Sequence, residues 1–229
     1  MQAPGSSAEE QLISVDFHSH TMYSGDSTTT LEEFSEEFSR SSLDKVAITD
    51  HLTCRGAREL HRLFGDRIIL GQEFRVKEGE MIALFIEREI PPSLDAREAS
   101  KRIRSQGGLV YIPHPGDKNR SSMGFETLSR LCSEGFVDII EVANSKIKSE
   151  LLMKEATDLA QKHGIAMAGG SDSHVPSSLA SSFVELKDFH DSPSLLASLS
   201  GEPNIHYSYC DPPRTWRARI LPSIAEGES

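Results

Sequence analysis

Short apolar runs alternate with longer amphipathic segments along this chain. Apolar runs of strand length predict buried strands, and segments with helical periodicity predict helices. The predicted strands lie at about 12–17, 45–49, 67–71, 80–86, 109–112, 137–142 and 165–169. The predicted helices lie near 30–41, 56–64, 94–106, 125–134, 149–163 and 192–200. Strands that alternate with helices pair in parallel, so the pattern predicts an α/β fold. Its sheet would be a closed or nearly closed seven-stranded barrel, with an open doubly wound sheet as the alternative.

Capping residues agree with two of the helix boundaries. Thr30, followed by Glu32 and Glu33, predicts the start of the first helix. Gly164, directly after His163, predicts the end of the fifth helix.

A length of 229 residues predicts one domain, or one domain with a tail. Residues 1–10 are polar and are expected to be disordered or loosely packed, without a secretory signal. Residues 11–201 would form the domain, and residues 202–229 a C-terminal extension packed on it. This extension carries Arg214, Arg217 and Arg219, which are interpreted as a solvated surface or, as the second choice, a lip that faces phosphate.

Charge and composition exclude several classes of protein. With 35 acidic and 24 basic residues the net charge is −11, which disfavours stable binding to bulk nucleic acid. No apolar run reaches the about 18 residues that a membrane-spanning helix needs. Cys54, Cys132 and Cys210 include no close pair, so the chain is expected to lack a disulfide framework and to be cytoplasmic.

Polar side chains stand where the predicted strands end. The strand ends carry His18 and His20, Asp50 and His51, Glu73, His114, Glu141 and Asn144, and Asp172 and His174. The carboxyl ends of parallel strands emerge on one side of the sheet, so these residues should meet at one mouth. Imidazoles and carboxylates gathered in one cleft suit divalent metals.

Each of these motifs alone has a simpler explanation as a strand exit, a turn or a helix cap. His18 and His20 could end a strand in solvent, and His114 between two prolines could form a rigid turn. Their joint occurrence directly after apolar strands favours a shared metal site.

Seven motifs carry a resemblance to one family. They are DFHSHT at 16–21, SGDS at 24–27, ITDH at 48–51, GQE at 71–73, IPHPG at 112–116, IEVAN at 140–144 and GGSDSH at 169–174. In order and spacing they resemble the motifs of the PHP (polymerase and histidinol phosphatase) superfamily over residues 12–190. The resemblance implies a distorted seven-stranded, TIM-like (β/α) barrel with a metal site at the strand ends.

The resemblance also implies three divalent ions, of zinc, manganese or iron. The first metal would be bound by His18, His20, Glu73 and Asp172. Glu73 would bridge to a second metal, also bound by His114 and a residue of the sixth strand. Asn144 is the candidate for that residue, with Glu141 further back. The third metal would be bound by Asp26, His51 and His174.

Small stand-alone members of this superfamily are similar to phosphoesterases. The implied reaction is hydrolysis of a phosphate mono- or diester by a hydroxide bridging two metals, with Glu73, Asp172 and His174 as catalytic residues. A metal-bound water, or Asp50 or His174 from behind the metal ligands, could protonate the leaving group. The substrate would be a phosphorylated small molecule or a nucleic-acid end. The alternatives are a non-phosphate metal hydrolase on the same barrel, and a non-catalytic binding module of this fold.

Basic residues near the predicted mouth could bind the distal part of the substrate. Arg55, Lys118 and Arg120 are the main candidates, and Lys146 and Lys148 follow Asn144. Only 41 residues separate Glu73 from His114, enough for one strand and one helix, so we expect a relatively open site.

Overall fold

The computed structural model describes residues 12–200 and 203–215. The predictions for residues 1–10 and for Arg217 and Arg219 lie outside the described residues.

The six predicted helices are all present, and each begins and ends within two residues of its predicted bounds. They are α1 Leu31–Arg40, α2 Arg55–Phe64, α3 Ala96–Arg104, α4 Phe125–Ser133, α5 Glu150–His163 and α6 Ser192–Leu199. At the start of α1 the Glu33 amide donates to Thr30 Oγ1 and the Thr30 amide donates to Glu33 Oε2, which is a capping box. Gly164 ends α5 with a φ of 63°, a left-handed conformation that glycine adopts without strain.

The described strands form one nine-stranded sheet. They are β1 Leu12–Ser19, β2 Lys45–Ile48, β3 Ile68–Val76, β4 Gly79–Leu84, β5 Leu109–Ile112, β6 Ile139–Asn144, β7 Ala166–Gly170, β8 Ser182–Lys187 and β9 Asn204–Tyr207. Their order in the sheet is β7-β6-β5-β4-β3-β2-β1-β8-β9.

The sheet curls into a nearly closed barrel because the end of β1 also meets the chain after β7. The Asp172 amide donates to the carbonyl of His18 at 2.6 Å, and the His20 amide donates to the carbonyl of Ser173 at 3.0 Å. The prediction of a distorted, TIM-like barrel is confirmed, and the open doubly wound alternative is wrong.

The expectation of uniformly parallel strands is wrong. β4 pairs antiparallel with both β3 and β5 because a tight hairpin, not a helix, joins β3 to β4. β8 and β9 were not predicted at all, and β8 is antiparallel to β1 and to β9. His206 lies in β9.

The reversed β4 changes which of its residues lie near the metal-binding motifs. Six strands, β1, β2, β3, β5, β6 and β7, run in the same direction. Their carboxyl ends therefore lie at one mouth, and the start of β4 lies there with them. One apolar cluster takes residues from each of β1 to β8 and packs against α6. The burial of these side chains from water stabilises the barrel that positions the mouth.

Two further sequence expectations concern membranes and thiols. Among the described helices, none has the length and apolar character required to cross a bilayer. Cys54, Cys132 and Cys210 all carry free thiols, as the sequence predicted.

The close approach of β7 to β1 yields a first prediction. A Cβ atom added at Gly170 would lie 2.8 Å from the backbone nitrogen of His18, and backbone cannot move aside cheaply. We expect Gly170→Ala to lower the free energy of unfolding by about 1–3 kcal/mol, as overpacked sites do. Urea unfolding measures this.

Gly124→Ala is the matched control, because nothing lies within 4 Å of a Cβ there and the backbone φ is −73°. If Gly170→Ala lowered the free energy of unfolding no more than Gly124→Ala does, the close contact between β7 and β1 would be contradicted.

Candidate metal centre

Glu73 lies at the centre of the mouth and contacts four imidazoles. Its Oε2 lies 3.2 Å from Nε2 of His18, 3.2 Å from Nε2 of His20 and 3.4 Å from Nδ1 of His51. Its other oxygen, Oε1, lies 3.1 Å from Nε2 of His114. The carboxylate is buried, and its oxygens face nitrogens contributed by three different strand ends. Both oxygens of this carboxylate are thus turned towards potential metal ligands.

Asp172 is the second buried carboxylate of the site. Its Oδ1 lies 3.7 Å from Nε2 of His18 and 3.5 Å from Nε2 of His20. Lys146 Nζ donates to Oδ1 at 3.0 Å, and Arg120 Nη1 donates to Oδ2. Burial opposes ionisation, but Lys146 and Arg120 outweigh it and hold the pKa of Asp172 well below its usual range. Asp172 also has a φ of 51°, a left-handed backbone that places its side chain in the mouth.

Asp26, His51 and His174 form a third group at the rim. Asp26 Oδ2 lies 3.0 Å from Nε2 of His174 and 3.6 Å from Nε2 of His51. Burial opposes ionisation of Asp26, but hydrogen bonds from His174 and His51 outweigh it and hold its pKa far below its usual range. Its other oxygen, Oδ1, is buried and has no hydrogen-bond partner among the described residues. An ionised carboxylate with a free buried oxygen fits a cation ligand.

The donor set fits divalent metals. Within residues 12–200 and 203–215, four groups of three His, Asp or Glu residues each place one ligand atom from every member within 4.8 Å of the others. The groups are His20 with His51 and His174, His18 with His114 and Asp172, His18 with His20 and Glu73, and Glu73 with Glu80 and His114. Burial and the neighbouring His174 hold the pKa of His20 well below its usual value, and the neutral imidazole is the form that binds metal.

A second layer of side chains orients these residues, with Glu141 as its main member. Glu141 Oε1 accepts from Tyr111 Oη at 2.9 Å and lies 3.0 Å from Nδ1 of His18. Its Oε2 accepts from the His114 amide at 2.6 Å and from Asn144 Nδ2 at 2.9 Å. Glu141 is thus engaged by four neighbours and fixes the ring orientation of His18.

We expect Glu141→Gln to weaken metal binding by about 10- to 100-fold, as losses of outer-layer partners do. The amide would lose the negative charge that supports His18 Nδ1. That charge also attracts the two donors to the other oxygen, the His114 amide and Asn144 Nδ2. Calorimetric titration of metal-free protein with Zn²⁺ or Mn²⁺ measures the change. Tyr111→Phe removes only one donor to the same oxygen and should have a smaller effect. Equal affinities for all three proteins would contradict an orienting role for Glu141.

Asn144 is in the site, but its amide oxygen does not face the other ligands. Its Nδ2 donates to Glu141 and, at 3.1 Å, to Asp172, while its Oδ1 accepts from the Lys146 amide at 3.0 Å. The oxygen that would bind a metal is therefore held by backbone.

The basic candidates divide into two sets. Arg120, Lys146 and Arg214 line the cavity at the mouth, which has a volume of about 220 Å³. Arg55 does not line it, and its guanidinium packs 5.1 Å from the centre of the Tyr23 ring. Lys118 is exposed and also lies outside the lining. Lys148 packs 4.4 Å from the centre of the Tyr209 ring.

One residue of the site was missed by the sequence reasoning. Glu80, the second residue of β4, is buried and its Oε2 lies 4.0 Å from Nε2 of His114. It was missed because β4 was expected to run parallel, which would have put its start at the opposite end of the barrel. The short spacing between Glu73 and Gly79 was the signal that could have revealed a hairpin.

The described part of the C-terminal extension reaches the site. β9 pairs with β8, and beyond it the Cys210 amide donates to the carbonyl of Ser145 at 2.8 Å. Arg214 Nη1 then lies 3.5 Å from Asp26 Oδ2. Of the arginines interpreted as a solvated surface or as a phosphate-facing lip, Arg214 is thus at the mouth.

Known protein families and related sequences were compared with this chain. The family model described as "PHP domain" matches residues 16–193. An uncharacterized protein of Methanocaldococcus jannaschii is 37% identical over 124 residues, which are 53% of this chain and 52% of that protein. The chain thus matches about half the length of this relative. A protein of Acetivibrio thermocellus named "Probable phosphatase" is 27% identical over 193 residues, 70% of this chain and 79% of that protein.

Among solved structures, the fold is similar to a two-domain protein of Bacteroides vulgatus described as containing a predicted PHP-like metal-dependent phosphoesterase. The TM-score is 0.70 at 23% identity, over 86% of this chain and 65% of that chain. This likeness covers about two thirds of that protein and, at this identity, concerns the fold. The family model covers the barrel from the end of β1 to α6, including every motif of the site. The chain therefore belongs to the PHP domain family.

Proposed function

We propose that this chain is a metal-dependent phosphoesterase that hydrolyses phosphate mono- or diesters. The observation that carries the proposal is the pairing of two features in one cavity. A buried cluster of imidazoles and carboxylates suited to divalent metals lies there beside Arg120, Lys146 and Arg214. Cationic side chains beside a metal cluster suit a substrate with several negative charges.

Eight residues of the site would hold three divalent ions of zinc, manganese or iron. They are His18, His20, Asp26, His51, Glu73, His114, Asp172 and His174. Such ions, when bound, would polarise the phosphoryl oxygens and lower the pKa of a water molecule towards neutrality.

The chain's own residues would bind and orient the phosphate. Lys146 and Arg120 are largely buried, and each holds a cationic group beside Asp172 at the floor of the cavity. Arg214 approaches from the rim. Of the two proton donors considered from the sequence, His174 lines the cavity, whereas Asp50 is fully buried and accepts from the amide and hydroxyl of Thr21. His174 therefore reaches the cavity, but as a ligand of the third metal it would have no ring nitrogen free to protonate a leaving group.

We expect Arg120→Ala to raise KM by about 10- to 100-fold and to lower kcat less. A charge-assisted hydrogen bond to phosphate is worth about 1.5–3 kcal/mol, and it is made with substrate and transition state alike. Initial rates over a range of substrate concentrations separate the two constants.

Lys118→Ala is the matched control, since Lys118 is two residues away, is cationic, and lies outside the cavity lining. Equal KM values for wild type and Arg120→Ala across several phosphoesters would remove Arg120 from substrate binding.

The proposal is tested by a substrate screen on metal-reconstituted protein. The panel contains nucleotides, dinucleotides, cyclic phosphates, sugar phosphates and a set of amides, with Asp172→Ala as the blank. We expect hydrolysis of at least one phosphoester by wild type and none by the blank. Cleavage of amides with no phosphoester hydrolysis would support another metal hydrolase on this barrel. Stoichiometric metal without any hydrolysis would support a binding module.

A further inference from the structure

We propose that Arg214, carried by the C-terminal extension, determines the specificity of the site and selects the terminal phosphate of a monoester over the internal phosphate of a diester. The inference rests on the proposed function and narrows its substrate class. It concerns a residue outside the part of the chain that the family model matches, which ends at residue 193.

The extension is anchored beside the barrel along its described length. Residues 203–215, here called the strap, include β9, which pairs antiparallel with β8. A Cβ atom added at Gly169 would lie 3.1 Å from Ile205 Cγ2, so β9 also packs closely on β7. Tyr207 Oη donates to the carbonyl of Ile147 at 2.5 Å, just beyond the end of β6. The strap is therefore fixed to three strands of the sheet or to the chain that follows them.

The second half of the strap leads to the mouth. The Cys210 amide donates to the carbonyl of Ser145 at 2.8 Å, directly after the last residue of β6. Pro212 and Pro213 follow, and their rings fix the backbone φ at about −65°. This stretch has few conformations to lose when it is held in place. Arg214 comes next and is thus delivered to the cavity by a constrained segment.

Arg214 adds a cation on a second side of His174. Lys146 Nζ lies 2.6 Å from Nδ1 of this imidazole. Nε2 of the same ring lies 3.0 Å from Asp26 Oδ2, and Arg214 Nη1 lies 3.5 Å from that oxygen. Lys146 and Arg214 therefore stand near different edges of one ring. An anion in the cavity meets positive charge from both sides.

Arg214 is less engaged with the protein than the two cations at the floor of the cavity. Lys146 and Arg120 both pair with the buried Asp172, and their side chains are 9% and 20% exposed. Within the described residues, the one ion pair of Arg214 is with Asp26, and its side chain is 33% exposed. Its distance of 3.5 Å exceeds the about 2.7–2.9 Å of a strong charge-assisted hydrogen bond. The planar fork of N–H donors therefore remains available for a ligand.

The two classes of ester differ in what they offer to an additional cation. A terminal phosphate has three non-bridging oxygens and close to two negative charges at neutral pH. A diester has one oxygen and one charge fewer, because a second carbon substituent is attached. Arg120 and Lys146 at the floor can serve the oxygens that both classes share. The cation at the rim gains most from the third oxygen, whereas the second substituent of a diester would meet the strap.

The test compares two substrates with the same leaving group, p-nitrophenyl phosphate and bis(p-nitrophenyl) phosphate, on metal-loaded protein. We expect wild type to prefer the monoester. Arg214→Ala removes a charge-assisted hydrogen bond, so it should lower kcat/KM for the monoester by about 10- to 100-fold and for the diester by less than about threefold. Arg55→Ala is the matched control, because this arginine packs on Tyr23 outside the cavity lining.

Tyr207→Phe tests whether the strap positions Arg214. The variant loses the hydrogen bond to the carbonyl of Ile147 but keeps the aromatic ring. We expect it to lower the preference for the monoester in wild type and to have no effect on that preference in Arg214→Ala, since the two residues act together. A loss of the same size in both backgrounds would overturn the role of the strap.

Anion binding supplies a readout that needs no turnover. Metal-loaded protein is titrated calorimetrically with inorganic phosphate and, as the diester counterpart, with dimethyl phosphate. We expect Arg214→Ala to weaken the binding of phosphate by about 10- to 100-fold and to leave the binding of dimethyl phosphate nearly unchanged.

A wild-type preference for the diester, or an equal loss on both ester classes in Arg214→Ala, overturns the inference and leaves the phosphoesterase proposal intact. Unchanged phosphate affinity in Arg214→Ala also overturns it. If wild type hydrolyses neither ester nor any other phosphoester, the phosphoesterase proposal fails, and the two titrations alone decide whether Arg214 selects a terminal phosphate.

Discussion

Glu73→Gln is expected to abolish hydrolysis and to deplete the bound metal. Gln keeps the size of the side chain but replaces one oxygen by an amide nitrogen, and removes the charge that both oxygens share. Four imidazoles, those of His18, His20, His51 and His114, face this carboxylate, so the change affects four potential ligands at once. Loss of a residue that orients a metal ligand lowers metal affinity or activity by about 10- to 100-fold. Because Glu73 would itself contact the metals, we expect Glu73→Gln to lower kcat/KM by more than about 100-fold.

The measurements are kcat/KM on the best substrate of the screen and metal content per chain. Glu87→Gln is the control, because the exposed side chain of Glu87 lies outside the metal cluster. If Glu73→Gln kept its metal and lost less than about tenfold in rate, the assignment of Glu73 as the shared ligand would be wrong.

The second large effect concerns the stability of the metal-free protein. Asp172 pairs with two largely buried cations, Lys146 and Arg120, and Arg120 also lies 3.4 Å from Asp117. Removing one partner of a buried ion pair costs about 3–5 kcal/mol, because a charge remains without compensation. We expect Asp172→Asn to lower the free energy of unfolding of metal-free protein by about this amount and also to abolish activity. Asn is the appropriate replacement, since it tolerates the left-handed backbone that this position requires.

Urea unfolding in the presence of a chelator measures the loss. The double variant Asp172→Asn, Lys146→Met also removes the buried ammonium group that Asp172 neutralises. It should therefore recover part of the lost free energy of unfolding. A single variant as stable as wild type would show that Arg120 and Lys146 find other partners. A double variant less stable than the single one would show that Lys146 stabilises the site independently of Asp172.

The sequence predicted the helices and the convergence of the site because both depend on local patterns. Apolar periodicity and capping residues such as Thr30 and Gly164 specify where helices begin and end. Parallel strands bring their carboxyl ends together, so His18 and Asp172 meet although 154 residues apart in the chain.

The parts that were missed depend on pairing between distant segments. β8 alternates buried and half-buried residues, but no α-helix separates it from β7 and its partner β1 is far away in sequence. In the sequence, β4 cannot be distinguished from a buried parallel strand. Only its pairing with β3 and β5 shows that it runs in the opposite direction. The position of Glu80 follows from that direction.

The orientation of the Asn144 amide was equally beyond the sequence, because it is decided by one hydrogen bond from the backbone of Lys146. The approach of Arg214 to Asp26 follows from the pairing of β9 with β8, which local patterns do not specify.

The length of the β3–β4 hairpin is expected to affect access to the cavity. Arg75 and Glu80, on either side of its turn, line the cavity, whereas in a barrel of purely parallel strands that link would cross to the far end. A Cβ atom at Gly79 would lie 2.6 Å from the Met123 nitrogen, so the turn rests directly on the loop that carries Ser122, the partner of His114. We expect residues inserted between Lys77 and Gly79 to lie beside the opening and to leave the paired part of the hairpin unchanged. Relatives that differ only in this turn could therefore admit substrates of very different size through the same metal cluster.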